Sequence, residues 1–254
     1  MVYDIKWFLY LIISFSLTIA ILILLHYTVK KTSTKEAWIK IFAMLTLLVH
    51  VSIYYYNYVL HKGETSISTF FPIYPCNVSM MLFPFAFLFE RKTKNFIIVF
   101  LSYYGVFGGI ITMFEPSSFY DGTNIFAWGT FKSFLSHSLL LLTSLYCFTS
   151  GIIKIQIKDV LYFIIGIFGI FLPIGYSLNY ILVKYGHDPN SMYLRYLPVE
   201  GVPFLSPYMI SFLMIIVVFL FITFYDRIAK PINDRWYVQL SEWLKLKKKK
   251  VSKY

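Results

Sequence analysis

Charge is what this sequence has least of. Only 14% of its 254 residues are Asp, Glu, Lys or Arg, whereas a soluble globular domain carries about 25%. With 58% of residues hydrophobic and 21% aromatic, the excess of apolar side chains needs a bilayer. Cysteine is almost absent. The two that occur, Cys76 and Cys147, cannot define a disulfide framework, and the topology derived below sets them at different depths. There is no internal repeat and no low-complexity run beyond a lysine cluster near the C-terminus. A cleavable signal peptide is not expected: the first apolar run, Phe8 to Leu25, follows Asp4 and a single Lys6 and has no small-residue cleavage site after it.

What is present is a series of long apolar stretches recurring about every 30 residues with short connections. A spanning helix needs roughly 20 mostly apolar residues, and seven stretches qualify: about 6–26, 37–60, 69–89, 95–114, 129–149, 159–182 and 206–226. The expected fold is therefore all-α, a polytopic seven-transmembrane-helix bundle over residues 1–228, followed by a basic tail over 229–254. Lys and Arg alternate between successive connections. Lys30, Lys31, Lys35 and Lys40 flank the first, Arg91, Lys92 and Lys94 the third, Lys154 and Lys158 the fifth. With the tail, 18 basic residues fall on one side. Five fall on the other: Lys6, Lys62, Lys132, Lys184 and Arg195. The positive-inside rule makes the richer side cytoplasmic, so the N-terminus is expected outside and the C-terminus in the cytoplasm.

The net charge of +11 does not point to nucleic acid, because nine of the 23 basic residues follow Tyr225, with Lys245 and Lys247 to Lys250 clustered. Such a tail is suited to anionic lipid headgroups at a membrane surface. The expected partners are thus membrane lipids. Abundant Ile, Phe, Tyr, Lys and Asn resemble an AT-rich bacterial coding bias, which places the chain in a bacterial plasma membrane as a multi-pass protein. Two outer connections, Glu115 to Trp128 and Lys184 to Pro207, mix turn residues with apolar ones and are expected to cap the outer mouth of the bundle.

Polar groups inside spans are costly in lipid, so each is a candidate for function or for an interhelical hydrogen bond. On the second span, His50, Tyr54, Asn57 and His61 follow the spacing of one helix face, which is expected to point inward. The third span opens Pro72-Ile-Tyr-Pro-Cys76-Asn77. Two prolines suit an irregular entry and leave Cys76 near a helix start, where the dipole favours thiolate. His137 lies in the fifth span within Leu-Ser-His-Ser. Cys76 and His137 are each about eight residues in from the outer boundary, on the order of 12 Å deep. A cysteine activated by a histidine is the general form of a covalent acyl-transfer nucleophile. Cys147 has no ionisable partner in its span and is assigned to packing. His26 and His187, at the borders, receive no role. A metal site from His50, His61, His137 and Cys76 has no ligand-spacing motif behind it, and no cofactor is required.

Three blocks of residues resemble a known family, the bacterial YwaF-type membrane proteins, which are similar to the eukaryotic transmembrane protein 164 family. They are Pro72-Ile-Tyr-Pro-Cys-Asn-Val-Ser79 with Pro84-Phe-Ala-Phe, then Phe134-Leu-Ser-His137, then Asn179 with Asn190-Ser-Met-Tyr-Leu194 and Pro207-Tyr. They occur in the family's order over most of residues 70 to 210. The resemblance implies that Cys76 takes the place of an acyl-carrier cysteine of a phospholipid acyltransferase family, and His137 that of its partner histidine. Tyr74 stands where bacterial members often have His, and Asn77 where Asp is common, which removes a carboxylate able to orient a histidine.

The leading expectation is a membrane enzyme of lipid acyl transfer or acyl-ester hydrolysis. His137 would take the thiol proton and Cys76 attack the ester, with Asn77 and backbone N–H groups at the start of span three holding the oxyanion. His50, Tyr54, Asn57, Asn77, Asn179, Asn190 and Tyr193 are the candidate substrate-binding residues. The alternative is a non-enzymatic transporter or a binding protein for a small molecule or lipid, with a polar outer cavity. A third reading has the polar residues only knitting helices together.

Overall fold

A run of apolar residues becomes a helix in lipid because every backbone N–H and C=O must find its partner within the segment. In the computed structural model, which describes residues 3–60, 71, 73–116, 119–120, 122, 124–197, 202 and 206–251, all seven apolar stretches are helical over most of their described length. No strand occurs among these residues. Helix α1 (Ile5–Thr28) is capped by Asp4, whose carboxylate accepts from the Trp7 N–H at 2.8 Å. Helix α2 (Thr32–Tyr55) runs into a π turn, Tyr56–Leu60. Helix α3 (Pro75–Phe85) starts on a proline, which leaves no orphan N–H at that position, and ends in a 3₁₀ turn, Ala86–Leu88. Helices α4 (Arg91–Phe114) and α5 (Trp128–Thr149) follow.

The sixth stretch is one rod with an interruption. Helix α6 (Lys158–Gly166) passes through a π turn, Ile167–Phe171, into α7 (Leu172–Lys184). Pro173 has no N–H to donate back along the helix, and a widened turn before it absorbs the missing bond. Helix α8 (Pro207–Ala229) starts from a Ser206 cap, and α9 (Trp236–Val251) forms the tail, which hydropathy did not mark as helical. The Trp236 N–H reaches the Asp226 carboxylate at 3.1 Å and its indole N–H reaches Thr223 Oγ1 at 3.3 Å, so the tail helix begins docked against α8.

Five of these rods are long and apolar enough to cross a membrane: Ile5–Thr28, Thr32–Val59, Arg91–Phe114, Lys158–Lys184 and Pro207–Ala229. Helix α3 with its 3₁₀ turn, Pro75–Leu88, would rise only about 21 Å at 1.5 Å per residue, short of a hydrocarbon core of about 30 Å. Helix α5 has the length but not the apolarity. Its place explains this. It packs against α1, α2, α3 and α4, so protein rather than lipid surrounds it, and polar side chains are tolerated there. Helices α1 and α8 instead expose Leu9, Leu17, Leu24, Phe212, Leu220 and Phe224, the pattern of a face turned to acyl chains. Close approach of α4 to α5 depends on Gly105, where an added Cβ would lie 2.1 Å from Ser144 Oγ.

The connections sort to two ends. At one, Lys35 Nζ donates to the Ser150 carbonyl at 2.8 Å, Lys94 pairs with Glu36 at 3.7 Å, and Lys230 donates to the Ile155 carbonyl at 3.2 Å. At the other, Tyr3 hydrogen-bonds Glu115, Tyr120 donates to Asp4 at 2.7 Å, and the Met192 N–H donates to the Ile73 carbonyl at 2.8 Å.

Candidate functional site

A cavity of about 540 Å³ opens near the Asp4 and Glu115 end, within the 300–1,000 Å³ or so typical of small-molecule sites. Cys76 and His137 both line it, as do His50, Asn77 and Tyr193. Both therefore line one cavity, although α3 begins only at Pro75, so Cys76 lies one residue into its helix and not the eight that the sequence count assumed. Cys76 is the second residue of α3, half-buried, with its sulfur 3.7 Å from Thr112 Oγ1 on α4. Gly108, one turn earlier on α4, makes room for it: a Cβ there would stand 3.0 Å from the sulfur. The Cys76 and Asn77 amides are among the first donors of α3, which have no intrahelical acceptor.

His137, 8% exposed, is held by its own helix. Its Nδ1 lies 2.7 Å from the Ser133 carbonyl oxygen one turn earlier. A carbonyl only accepts, so Nδ1 carries the proton of the neutral ring and Nε2 is the basic atom. Phe119 stacks on the ring, the two planes within 8° and their centres 6.0 Å apart. His50 on α2 is 5% exposed, and its Nε2 is buried without a hydrogen-bond partner among the described residues. Lys132 lies within electrostatic reach of both imidazoles.

Tyr193 is delivered by an unusual piece of chain. Met192 and Tyr193 have φ of 55° and 57°, two successive non-glycine residues in the left-handed region, a conformation costing on the order of 1–3 kcal/mol each. Neighbours hold it in place. Asn179 brackets Ser191 by accepting its N–H at 2.8 Å and donating to its carbonyl at 3.2 Å, and the Met192 N–H bonds Ile73. The ring of Tyr193 then meets Tyr74 at 5.4 Å between centroids. Burial pushes the Tyr193 phenol up to about 12, helped by Tyr74 and Cys76, so it remains a hydroxyl at neutral pH.

The other sequence candidates have different duties. Asn179 clamps Ser191, and Asn190 accepts the N–H groups of Arg195 and Tyr196, both at 3.0 Å, closing the loop on itself. Tyr54 stacks edge-on to His50 with centroids 6.4 Å apart. Tyr54 and Asn57 are not among the residues lining the cavity. The expected inward stripe on α2 assumed α-helical spacing, and the π turn at Tyr56–Leu60 widens the helix and shifts Asn57 from the line of His50. His61 lies outside the described residues. Cys147 is fully buried in the main core. Both connections expected to cap the bundle reach the cavity over their described parts, through Phe119 from one and Met192 and Tyr193 from the other.

Sequence reasoning missed Lys132 and Thr112. Lys132 was counted with the fourth connection, yet it lies inside α5, 9% exposed, on the cavity wall. A signal existed: Lys132, Ser133, Ser136 and His137 share one face of the helix by their spacing. Among the described residues no three His, Cys, Asp or Glu side chains converge as metal ligands do.

Neither a curated protein nor a solved structure matches the chain. The TMEM164 family model matches residues 2–225, a stretch that holds the cavity and helices α1 to α8 apart from the last residues of α8. A multi-pass membrane protein with several apolar helices, this chain belongs to the TMEM164 family.

Proposed function

We propose that this protein is an enzyme of lipid acyl transfer or acyl-ester hydrolysis, with Cys76 as the acyl carrier and His137 as the proton acceptor. One observation carries the reading: Cys76 and His137 line a single cavity whose remaining wall is largely apolar, including Ile167, Phe171, Leu172 and Met214. In the first step the Cys76 thiol loses its proton to His137 Nε2, and the sulfur attacks the ester carbonyl. The tetrahedral intermediate expels the lipid alkoxide, which takes the proton back from the imidazolium. A lysolipid hydroxyl or water then attacks the thioester and releases the thiol. The Cys76 and Asn77 amides at the start of α3 and the Tyr193 hydroxyl are the donors available to the oxyanion.

The reading places the site in the outer half of a bacterial plasma membrane, in the YwaF-type branch. Seven crossings, an external N-terminus and a cytoplasmic tail that meets anionic headgroups fit the two-ended sorting of the connections. Labelling of the purified protein with a thiol-reactive acyl probe tests the chemistry. Modification at Cys76 that is lost in Cys76→Ala and slowed at least tenfold in His137→Ala is the expected result; equal, slow labelling with and without His137 refutes it. A second reading, a lipid-binding or transport protein without catalysis, is favoured by the thiol's pairing with Thr112. In that case Cys76→Ala leaves ligand binding and cellular lipid acyl composition unchanged.

A further inference from the structure

The cavity holds a cation, Lys132, that no described residue neutralises. Lys132 is nine-tenths buried and takes part in no ion pair or side-chain hydrogen bond among the described residues. The described residues lining the cavity include His50, His137 and no Asp or Glu. A buried ammonium without a counter-charge is costly. His50 adds an unpartnered buried Nε2 on the same wall. An oxyanion satisfies the ammonium, and satisfies the His50 Nε2 as well in the tautomer that carries the proton there.

The apolar side of the cavity limits which oxyanion enters. Ile167, Phe171, Leu172, Ile210 and Met214 offer hydrocarbon contact that a free inorganic ion does not use. We infer that Lys132, with His50 beside it, forms a binding site for the phosphate of a lipid whose acyl chain occupies the apolar side of the same cavity. This rests on the proposal that the cavity takes lipid, and adds to it a headgroup anchor separate from the Cys76 thiol. Lys132 binds and orients the lipid and takes no part in bond making or breaking. Charge-assisted bonds from an ammonium to phosphate are about twice as strong as neutral ones, so its removal is expected to weaken binding on the order of tenfold or more.

The test uses the full-length protein purified in a neutral detergent, with ligand-induced shifts in melting temperature titrated against concentration. Lysophosphatidylglycerol, monoacylglycerol of the same chain length, and inorganic phosphate are compared on wild type, Lys132→Arg, Lys132→Gln and Lys132→Met. The expected result is that lysophosphatidylglycerol stabilises wild type and Lys132→Arg at concentrations about tenfold or more below those needed for the two neutral variants, and below those of monoacylglycerol on wild type. Equal potency of the two lipids on wild type overturns the anion site without recourse to any variant, as does undiminished lysophosphatidylglycerol binding in Lys132→Met. Stabilisation by inorganic phosphate that matches the lysolipid overturns the lipid source and leaves a free-anion site. The titrations are repeated in Cys76→Ala. Retained binding there, with loss of probe labelling, separates the anion site from the acyl-carrier chemistry, and either can fail alone.

Discussion

The two ends of the bundle treat buried charge in opposite ways. At the lysine-rich end, Asp226 is fully buried, ion-paired with Lys230 at 2.7 Å, and accepts the Trp236 N–H at 3.1 Å. Asp159, 1% exposed, accepts from the Tyr103 hydroxyl at 3.2 Å and the Gln156 N–H at 3.0 Å. At the cavity end, Lys132 is also buried, yet the described residues offer its ammonium no counter-charge and the His50 Nε2 beside it no hydrogen-bond partner. Charges closed on themselves hold helices in place. Charges left open cost stability, and a protein retains them where a ligand completes them.

The comparison breaks most visibly at Asp226. Asp226→Ala removes the counter-charge of Lys230 and the acceptor of the Trp236 N–H, so the hold of α8 on the tail helix weakens to the Thr223 and Phe219 contacts of Trp236. Loss of one partner of a buried pair costs about 3–5 kcal/mol, and partial exposure of Lys230, 26% by side chain, brings the expectation to about 2–3 kcal/mol. A large fall in melting temperature in detergent, with faster proteolysis before Trp236, is the expected outcome. A melting point equal to wild type would show that the two ends do not differ in kind.

Lys132→Met is the mirror experiment. It deletes a charge that no described residue compensates, so the ligand-free protein is expected to melt at the wild-type temperature or higher, with a gain in stability of up to about 1–2 kcal/mol. A drop comparable with that of Asp226→Ala would mean that Lys132 is a structural member of the fold.

How much of this was legible in the sequence depends on how local the cause is. All seven helical stretches were readable, because length and apolarity are summed along the chain itself. Cys76 and His137 were paired by counting residues from the expected span boundaries; they do line one cavity, but α3 begins at Pro75, six residues later than the count assumed. What the sequence hid arises from the packing of one element on another. Helix α5 reads as a span, but only its encirclement by α1 to α4 explains why it carries Lys132 in place of another leucine. Asn57 falls off the face of His50 because of a π turn with no single-residue signature. Asn179 and Asn190 look like site residues until their amides are seen closing on Ser191, Arg195 and Tyr196.

A smaller effect distinguishes the two cysteines. Gly108→Ala places a Cβ 3.0 Å from the Cys76 sulfur, so the thiol must shift away from Thr112. Overpacking of this kind costs about 1–3 kcal/mol when the neighbour cannot move, but Cys76 stands at a cavity wall and has space. The expected result is a modest loss of stability, under about 1 kcal/mol, with an altered rate of Cys76 labelling. Cys147, sealed in the core, is expected to stay unreactive in both proteins. Labelling kinetics by mass spectrometry decide it, and an unchanged Cys76 rate would show that Gly108 does not set the thiol's position.

The weakest effect belongs to the loop that carries Tyr193. Asp188 accepts from the Tyr196 hydroxyl at 3.0 Å and pairs with Arg195 at 2.5 Å; the tyrosine bond first, then the guanidinium, hold its carboxyl below the usual carboxylate range. A folded value below the unfolded one means that the contribution is fully present above about pH 4 and is lost as pH falls through the depressed value. The group is solvent-exposed, so the contribution is small. Asp188→Asn is therefore expected to loosen the 188–196 loop slightly at pH 7, seen as faster amide exchange in those residues, and to match wild type at the acid end of the titration, below the depressed value. Because the same loop presents Tyr193 to the cavity, the neutral-pH difference should fade when a cavity ligand is bound. A difference of the same size with and without ligand would separate the loop from the site.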